Sequence, residues 1–410
     1  MDGMQGARLN PCELEIDLFC RGVRIDPSAV PSIRLARRTR AGLGSGLELI
    51  LPGPSKDIWV NVPVVEPFAQ RSPYVLKRST DSELVLHDQR TGALYPVRLN
   101  PEPEWYGWNT SSGRPMVKVG VLQGTYLGIY IGPVCRYWKA DSRENCSFCT
   151  TGLNEETDES WRKTVTDVVE TCITARRESG ITFVHFNSGY QEGRDLQLAY
   201  PFVRAVKEKT GLLVGLQLAP VSDLSQYDRL IDAGVDHFSF CFEFMGAEAF
   251  TRFCPGKART LGQEAFFLAM EYTASKLGKG RVSGEIIAGV EPLEDTLRAI
   301  DRITDCGAFP TICVFRPLLG SDMADWDPPG FEQMRAVFKY MIDRLIACRI
   351  PIGIAPNIEV SLVVQPTDAL YLADPGFRLL SYRFYNGVLA AAARAVFHRR
   401  IRKAERRMVS

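Results

Sequence analysis

Histidine is scarce in this sequence. His87, His185, His237 and His398 are the four in a chain of 410 residues. Charge of one sign is missing too: 49 Lys and Arg face 48 Asp and Glu, for a net charge of +1. A chain so balanced carries no global field to recruit nucleic acid or an anionic membrane. No apolar run reaches the ~18 residues of a spanning helix. The opening stretch, MDGMQGARLNPCELEIDLFC, has no basic segment leading into an apolar one, so a signal peptide is not expected. Internal repeats and low-complexity tracts are absent as well.

Cysteine, by contrast, is plentiful at eleven residues. The number is odd and the spacings do not suggest a secreted disulfide framework, so a reducing cytoplasm is the expected compartment. Cys172, Cys241, Cys306, Cys313 and Cys348 stand alone within apolar patterns and read as small buried side chains. Only one group has ligand-like spacing. In the stretch IYIGPVCRYWKADSRENCSFCTTG, Cys135, Cys146 and Cys149 follow an apolar run as C-x10-C-x2-C.

The first ~120 residues contain short β-type runs broken by Gly, Pro, Asp and Ser, such as LELILPG, IWVNVPVV and ELVLHD. Beyond them a strand–helix rhythm begins. TYLGIYIG, ITFVHFNSG, GLLVGLQLAP, DHFSFCFEF, RVSGEIIAGV and FPTICVFRPL read as strands, with helical patterns between them. A further helix, FEQMRAVFKYMIDRLIACR, precedes IPIGIAPNI. These units predict an α/β fold: a partial or full (β/α) barrel of parallel strands, preceded by a small β-rich domain. The expected division is 1–118 for the β-rich domain, 119–325 for a (β/α)6-type core and 326–410 for a helical and strand extension, with IPIGIAPNI as its strand and a basic helix at its end. The bland reading of that basic tail, AAAARAVFHRRIRKAERRMVS, is a solvated helix; a membrane or nucleic-acid contact is not expected. Functional residues belong at the C-terminal ends of barrel strands, where the cysteine loop falls.

Thiolate selects zinc, copper(I) or iron–sulfur. A structural zinc site wants four protein ligands, and no further Cys or His lies near these three in sequence. A [4Fe–4S] cluster on three cysteines leaves one iron open to another ligand.

Here the sequence resembles the radical S-adenosylmethionine superfamily, in which a CxxxCxxC loop after the first barrel strand holds such a cluster. Phe148 in CSFC matches the aromatic that usually precedes the third cysteine. The spacing departs: ten residues separate the first two cysteines instead of three. That leaves Cys12, Cys20 or Cys254 as alternatives to Cys135 for the first ligand. Further matches follow in family order. HFNSGYQEG offers Asn187, Ser188 and Gly189 for the methionine ammonium. SFCFEF offers Ser239 and Glu243 toward the ribose. GEIIAGVE, with Gly289 and Glu291, loosely matches a stretch that lies against adenine.

The resemblance implies a [4Fe–4S] cluster and S-adenosyl-L-methionine as cofactors. It implies reductive cleavage to a 5′-deoxyadenosyl radical, which abstracts hydrogen from a small-molecule substrate. An electron donor such as flavodoxin or ferredoxin is implied with it. Substrate-pocket candidates are His185, Gln217 and Arg316. Plainer readings stand beside several of these residues: His185 as a satisfied core residue, Arg316 as a structural ion pair and Glu243 as a helix cap, while Lys257 in CPGKART reads as a solvated side chain. Two readings of other classes stand beside the enzyme: a zinc-stabilised (β/α) protein, and a degenerate relative that only binds or scaffolds.

Overall fold

A capping box starts the first helix. Asn10 accepts from the Glu13 amide, Glu13 accepts from the Asn10 amide, and Pro11 occupies the first turn of α1 (Pro11–Arg21). The structure, a computed structural model, describes residues 8–29, 46–79, 83–138, 144–154, 157, 159–160 and 162–409.

After α1 come β1 (Arg24–Ile25), β2 (Leu47–Leu51), β3 (Ile58–Val62), β4 (Tyr74–Arg78), β5 (Leu84–Asp88), β6 (Leu94–Pro96) and β7 (Arg98–Leu99). They form two small sheets, ordered β1-β4-β5-β6 and β3-β2-β7. The short β-type runs thus become strands as expected. Helix α1 was not expected, and it buries Cys12 and Cys20.

The core begins with α2 (Met116–Val119) and the hairpin of β8 (Val121–Gln123) and β9 (Tyr126–Tyr130). Then follow α3 (Val165–Ser179), β10 (Phe183–Asn187), α4 (Asp195–Thr210), β11 (Leu213–Gln217), α5 (Ser225–Asp232) and β12 (His237–Glu243). The chain continues through α6 (Ala247–Phe253), α7 (Pro255–Thr260), α8 (Gly262–Leu277), β13 (Val282–Ala288), α9 (Leu293–Asp305) and β14 (Phe309–Val314). It ends in α10 (Phe331–Cys348) and α11 (Phe377–Val409). Strands β8 to β14 make one seven-stranded sheet in sequential order. Every pair from β9 to β14 is parallel and only β8 runs against its neighbour.

Both faces of this sheet are used, and the two-residue period separates them. On β12, Phe238 and Phe242 pack under the helices against Tyr227 and Phe267, with ring centroids 5.4 and 5.0 Å apart. The alternate residues, His237, Ser239, Cys241 and Glu243, face the other way, into the curl of the sheet. Residues from β9 through β14 line one common cavity there, which a flat sheet would not allow.

Two expectations change. IPIGIAPNI pairs with no strand; it begins an irregular segment, 351–367, that covers the cavity. Pro351, Gly353 and Pro356 break the ladder it would need. The terminal helix starts well before the basic run. Its outer side exposes Phe377, Leu380, Phe384 and Val388, while Leu379, Tyr382 and Phe397 are buried. Among the described residues no helix is long and apolar enough to cross a membrane, and all eleven cysteines are free thiols.

The N-terminal sheets bind the core through buried charge. Lys56 pairs with Glu359 at 2.8 Å and Asp368 at 2.7 Å, and the Asn61 amide donates to Ser361 O at 2.6 Å. Arg316, a candidate for substrate contact, does not line the cavity. It donates to Glu66 at 2.7 Å and to Asn61 at 3.2 Å, with both ionic partners nearly inaccessible. Removing one partner of a buried pair strands the other charge. Arg316→Met should therefore lower stability by about 3–5 kcal/mol in urea unfolding. The double variant E66M/R316M should recover most of that loss.

Candidate functional site

The cysteine loop leaves the C-terminal end of β9, the position expected for it. Its first half is joined to the loop that leaves β10. Parallel pairing sets Tyr130 opposite Asn187, so both loops start at the same level. Gln191 Nε2 donates to Pro133 O at 2.8 Å, and the Arg136 amide to Tyr190 O at 3.0 Å. Tyr137 stacks on Tyr190 with centroids 4.6 Å apart. Gly189 donates its amide to the Tyr130 hydroxyl at 2.9 Å. A Cβ at position 189 would lie 2.2 Å from Cys135 Cβ and 2.9 Å from its sulfur, so no other residue fits.

The second half is held from another side. The Ser147 amide donates to Phe253 O at 2.9 Å and the Gly256 amide to Glu144 O at 3.1 Å. Phe148 meets Phe244 edge-on, with centroids 5.9 Å apart. Residues 139–143, between Cys135 and Cys146, lie outside the described residues. Among the described residues no group of three or more His, Cys, Asp or Glu side chains is already arranged as a metal site.

The thiols nevertheless share one electrostatic neighbourhood. Burial raises the Cys135 thiol, and the charge of Cys146 raises it further. Burial pushes Cys149 up to about 12, with Cys146 next, against hydrogen bonds from Thr151. Cys146 goes the other way. A hydrogen bond from Cys254 draws it below its ordinary value against burial, and Lys257 adds to that pull. Cys254, weighed from the sequence only as a substitute ligand, is thus a fourth thiol beside the group.

Lys257 is not solvated. Its Nζ donates to Glu243 at 2.6 Å and to Cys241 O at 2.8 Å, and the charges of Glu243 and Cys146 hold it well above the ordinary lysine value despite burial. Glu243 sits at a bulge with φ of 67°, a left-handed conformation unusual for a glutamate. It pairs with Lys257 and caps no helix. Glu291 does that instead: it accepts from the Met245 and Gly246 amides at 3.0 and 2.8 Å, ahead of α6. Gly289 turns with φ of 99° against Pro329.

Asn187 and Ser188 stand at the end of β10. Asn187 is buried and its Oδ1 has no partner. Ser188 donates to Asp195 at 3.4 Å, and burial pushes that carboxyl up to about 7. Deeper in the curl, Ser239 donates to Glu285 Oε1, while Cys241 and Gln217 donate to Glu285 Oε2 at 3.0 and 2.6 Å. Burial raises the Glu285 carboxyl although Ser239 and Cys241 oppose it. Below lies the cavity, about 510 Å3, which His185, Gln217 and Glu285 line. His185 Nε2 is buried without a partner, and burial pushes the imidazole down to about 3, so it stays neutral.

Sequence reasoning named Cys254 only as a substitute ligand, read Lys257 as solvated, and missed Glu285 as a member of this site. The inward parity of β13 could have found Glu285. CPGK, a helix start carrying a cysteine and a lysine, could have flagged the other two.

The loop tolerates ligand chemistry in its donor set and its shape. Three partly buried cysteines supply soft donors, the bare backbone of Gly189 leaves room against Cys135, and Asn187 Oδ1 lacks a hydrogen-bond donor. In metal-free protein Cys146 should alkylate fastest of the three, because its thiolate fraction is highest. Removing Lys257 raises the Cys146 pKa, so K257M/E243Q should slow iodoacetamide labelling of Cys146 at pH 7.5, read by peptide mass spectrometry.

No family model matches the chain. Over 122 residues it is 28% identical to bacteriochlorophyllide c C-7(1)-hydroxylase of Chlorobaculum limnaeum, a stretch covering 30% of each protein. The match thus spans under a third of that relative's length. Among solved structures, methylornithine synthase aligns over 58% of this chain and 74% of its own, at 18% identity and a TM-score of 0.41. A radical SAM methyltransferase from Sphaerobacter thermophilus aligns over 66% and 75%, at 14% identity and a TM-score of 0.43. All three are named as enzymes.

Proposed function

We propose that this chain is a radical S-adenosylmethionine enzyme acting on a small molecule. Cys135, Cys146 and Cys149 are the thiolates that would hold its [4Fe–4S] cluster. The observation that carries the reading is the seam between the first two parallel strands, where Gly189 gives up a side chain to Cys135. When bound, the cluster and S-adenosylmethionine would supply one-electron cleavage of the sulfonium and removal of a hydrogen atom from substrate.

The protein's own contributions follow from its residues. Lys257 lends positive charge to a site gathering thiolates, offsetting part of their mutual repulsion. Asn187 Oδ1 and the loop of Ser188 and Gly189 offer acceptors to an ammonium group. Phe148 packs the loop onto β12. Ser239 is committed to Glu285 and Glu291 to the start of α6, so both act by positioning the strands that carry the pocket. His185 and Gln217 line the space proposed for substrate, and the curled sheet around it would limit access of bulk water to the reacting atoms. The division at 1–118, 119–325 and 326–410 belongs to the same reading, as does a flavodoxin or ferredoxin donor.

A second reading rests on one specific contact. The electrostatic coupling of Cys254 to Cys146 sets a fourth thiol beside the group, as a closed four-thiolate zinc centre would need. Anaerobic reconstitution separates the two. The radical reading expects iron and sulfide, broad absorbance near ~400 nm, and 5′-deoxyadenosine when S-adenosylmethionine and a strong reductant are added. Cys135→Ala, Cys146→Ala and Cys149→Ala should each abolish that product, while Cys254→Ala should retain it. One colourless zinc per chain, lost in Cys254→Ala, would establish the closed centre instead.

A further inference from the structure

The cavity changes character along its length. Its inner end is polar, with Glu285, Gln217, Ser283 and His185. Its long wall comes from the segment 351–367, where Ile352, Ile354, Ile358, Leu362, Val363 and Val364 present hydrocarbon. Val396 and Phe397 of α11 continue that wall outward. The volume, about 510 Å3, suits a ligand of ordinary cofactor or lipid-tail size.

The outer end lies at the start of the strands, opposite the thiols. Phe183, Leu213, His237 and Phe309, each the first residue of its strand, line it there. Beside them a single carboxylate faces three cations. Asp236 meets Lys207 at 2.6 Å, Arg400 at 2.8 Å and Arg281 at 3.6 Å. The Lys207 contact is partly buried, whereas Arg400 and Arg281 keep 45% and 44% of their side-chain surface exposed. Both arginines line the cavity. One carboxylate does not neutralise three cations, so positive charge is in excess where the apolar wall reaches solvent.

We propose that this cavity binds an elongated apolar molecule that ends in a carboxylate or phosphate. The anionic end rests on Arg281 and Arg400, the hydrocarbon body lies along 351–367, and the far end reaches the Glu285 layer. Identifying that ligand as the substrate rests on the proposed function; the binding itself does not. Guanidinium suits either anion through paired N–H donors. The hydrocarbon contributes most of the affinity and the arginines choose the head group.

Displacement of a fluorescent fatty-acid analogue from the purified chain tests this, with dodecanoate, dodecyl phosphate and dodecanol as competitors. At least one anion should compete about tenfold better than the alcohol, as expected of charge-assisted hydrogen bonds at a half-exposed site. R281A/R400A should remove that preference and leave dodecanol unchanged. Val364→Trp, which fills the wall, should abolish binding of all three; Val363→Trp serves if the first variant melts early. Equal competition by anions and alcohol, or normal binding in both tryptophan variants, would overturn the proposal. The variant C146A/C149A separates the two ideas. It should bind the probe normally even if no 5′-deoxyadenosine is ever formed, so failure of the radical reading leaves this test intact.

Discussion

The site depends on how closely two neighbouring loops can approach. Parallel register puts Tyr130 level with Asn187, and the chain leaves both strands on the same side of the sheet. The loops then have to pass each other almost at once. They do so where residue 189 has no side chain, with Cys135 in the space a Cβ would take. The Tyr130 hydroxyl and the Tyr137–Tyr190 stack fix that approach. The position of the first thiol is therefore inherited from strand register, whatever the length of the loop behind it. A longer connection between Cys135 and Cys146 can be accommodated because its cost in closure entropy rises only slowly with length.

Below the thiols, the interior is organised by carboxylates that cannot be left bare. Glu243 takes Lys257, and Glu285 takes donors from β11 and β12. Buried polar groups must find partners, so these side chains tie strands together as they fill the middle of the curl. The result is an interior with two unlike ends. Thiols and an unpartnered amide oxygen gather where the strands finish; hydrocarbon and excess positive charge gather where they begin. The Glu285 layer stands between them.

Much of this was legible in order but not in partnership. The strand–helix rhythm after residue 120 gave six parallel strands in sequence, because each strand is apolar on the side under its helices and period two is hard to disguise. SFCFEF carries the whole argument in six letters: phenylalanines outward, Ser239, Cys241 and Glu243 inward. IPIGIAPNI misled because apolar content says only that a segment is covered, while its prolines and glycine decide that it cannot pair. Arg316 and Glu66 lie 250 positions apart, and no local pattern joins them. Lys257 looked solvated for the same reason; its counter-charge lies on another element. Glu291 took the helix start that was the plainer reading of Glu243, and Glu243 took Lys257, since which carboxylate reaches a helix start depends on tertiary placement.

The number of thiols at the centre can be argued from accessibility. Cys254 is fully enclosed, between the end of α6 and Pro255 at the start of α7, and it is electrostatically coupled to Cys146. Cys135, Cys146 and Cys149 each keep exposed surface. A metal ligand must present its sulfur to the space where the ion sits, and must give up its proton to do so. Burial and the charge of Cys146 both hold the proton on Cys254, whereas the same hydrogen bond favours loss of the proton from Cys146. The fourth sulfur is thus better suited to donating a hydrogen bond to a ligand than to being one. Hydrogen bonds to ligand sulfur are among the means by which a protein tunes an iron–sulfur centre. On the proposed reading, Cys254 would then support a three-thiolate site from behind without becoming a fourth ligand.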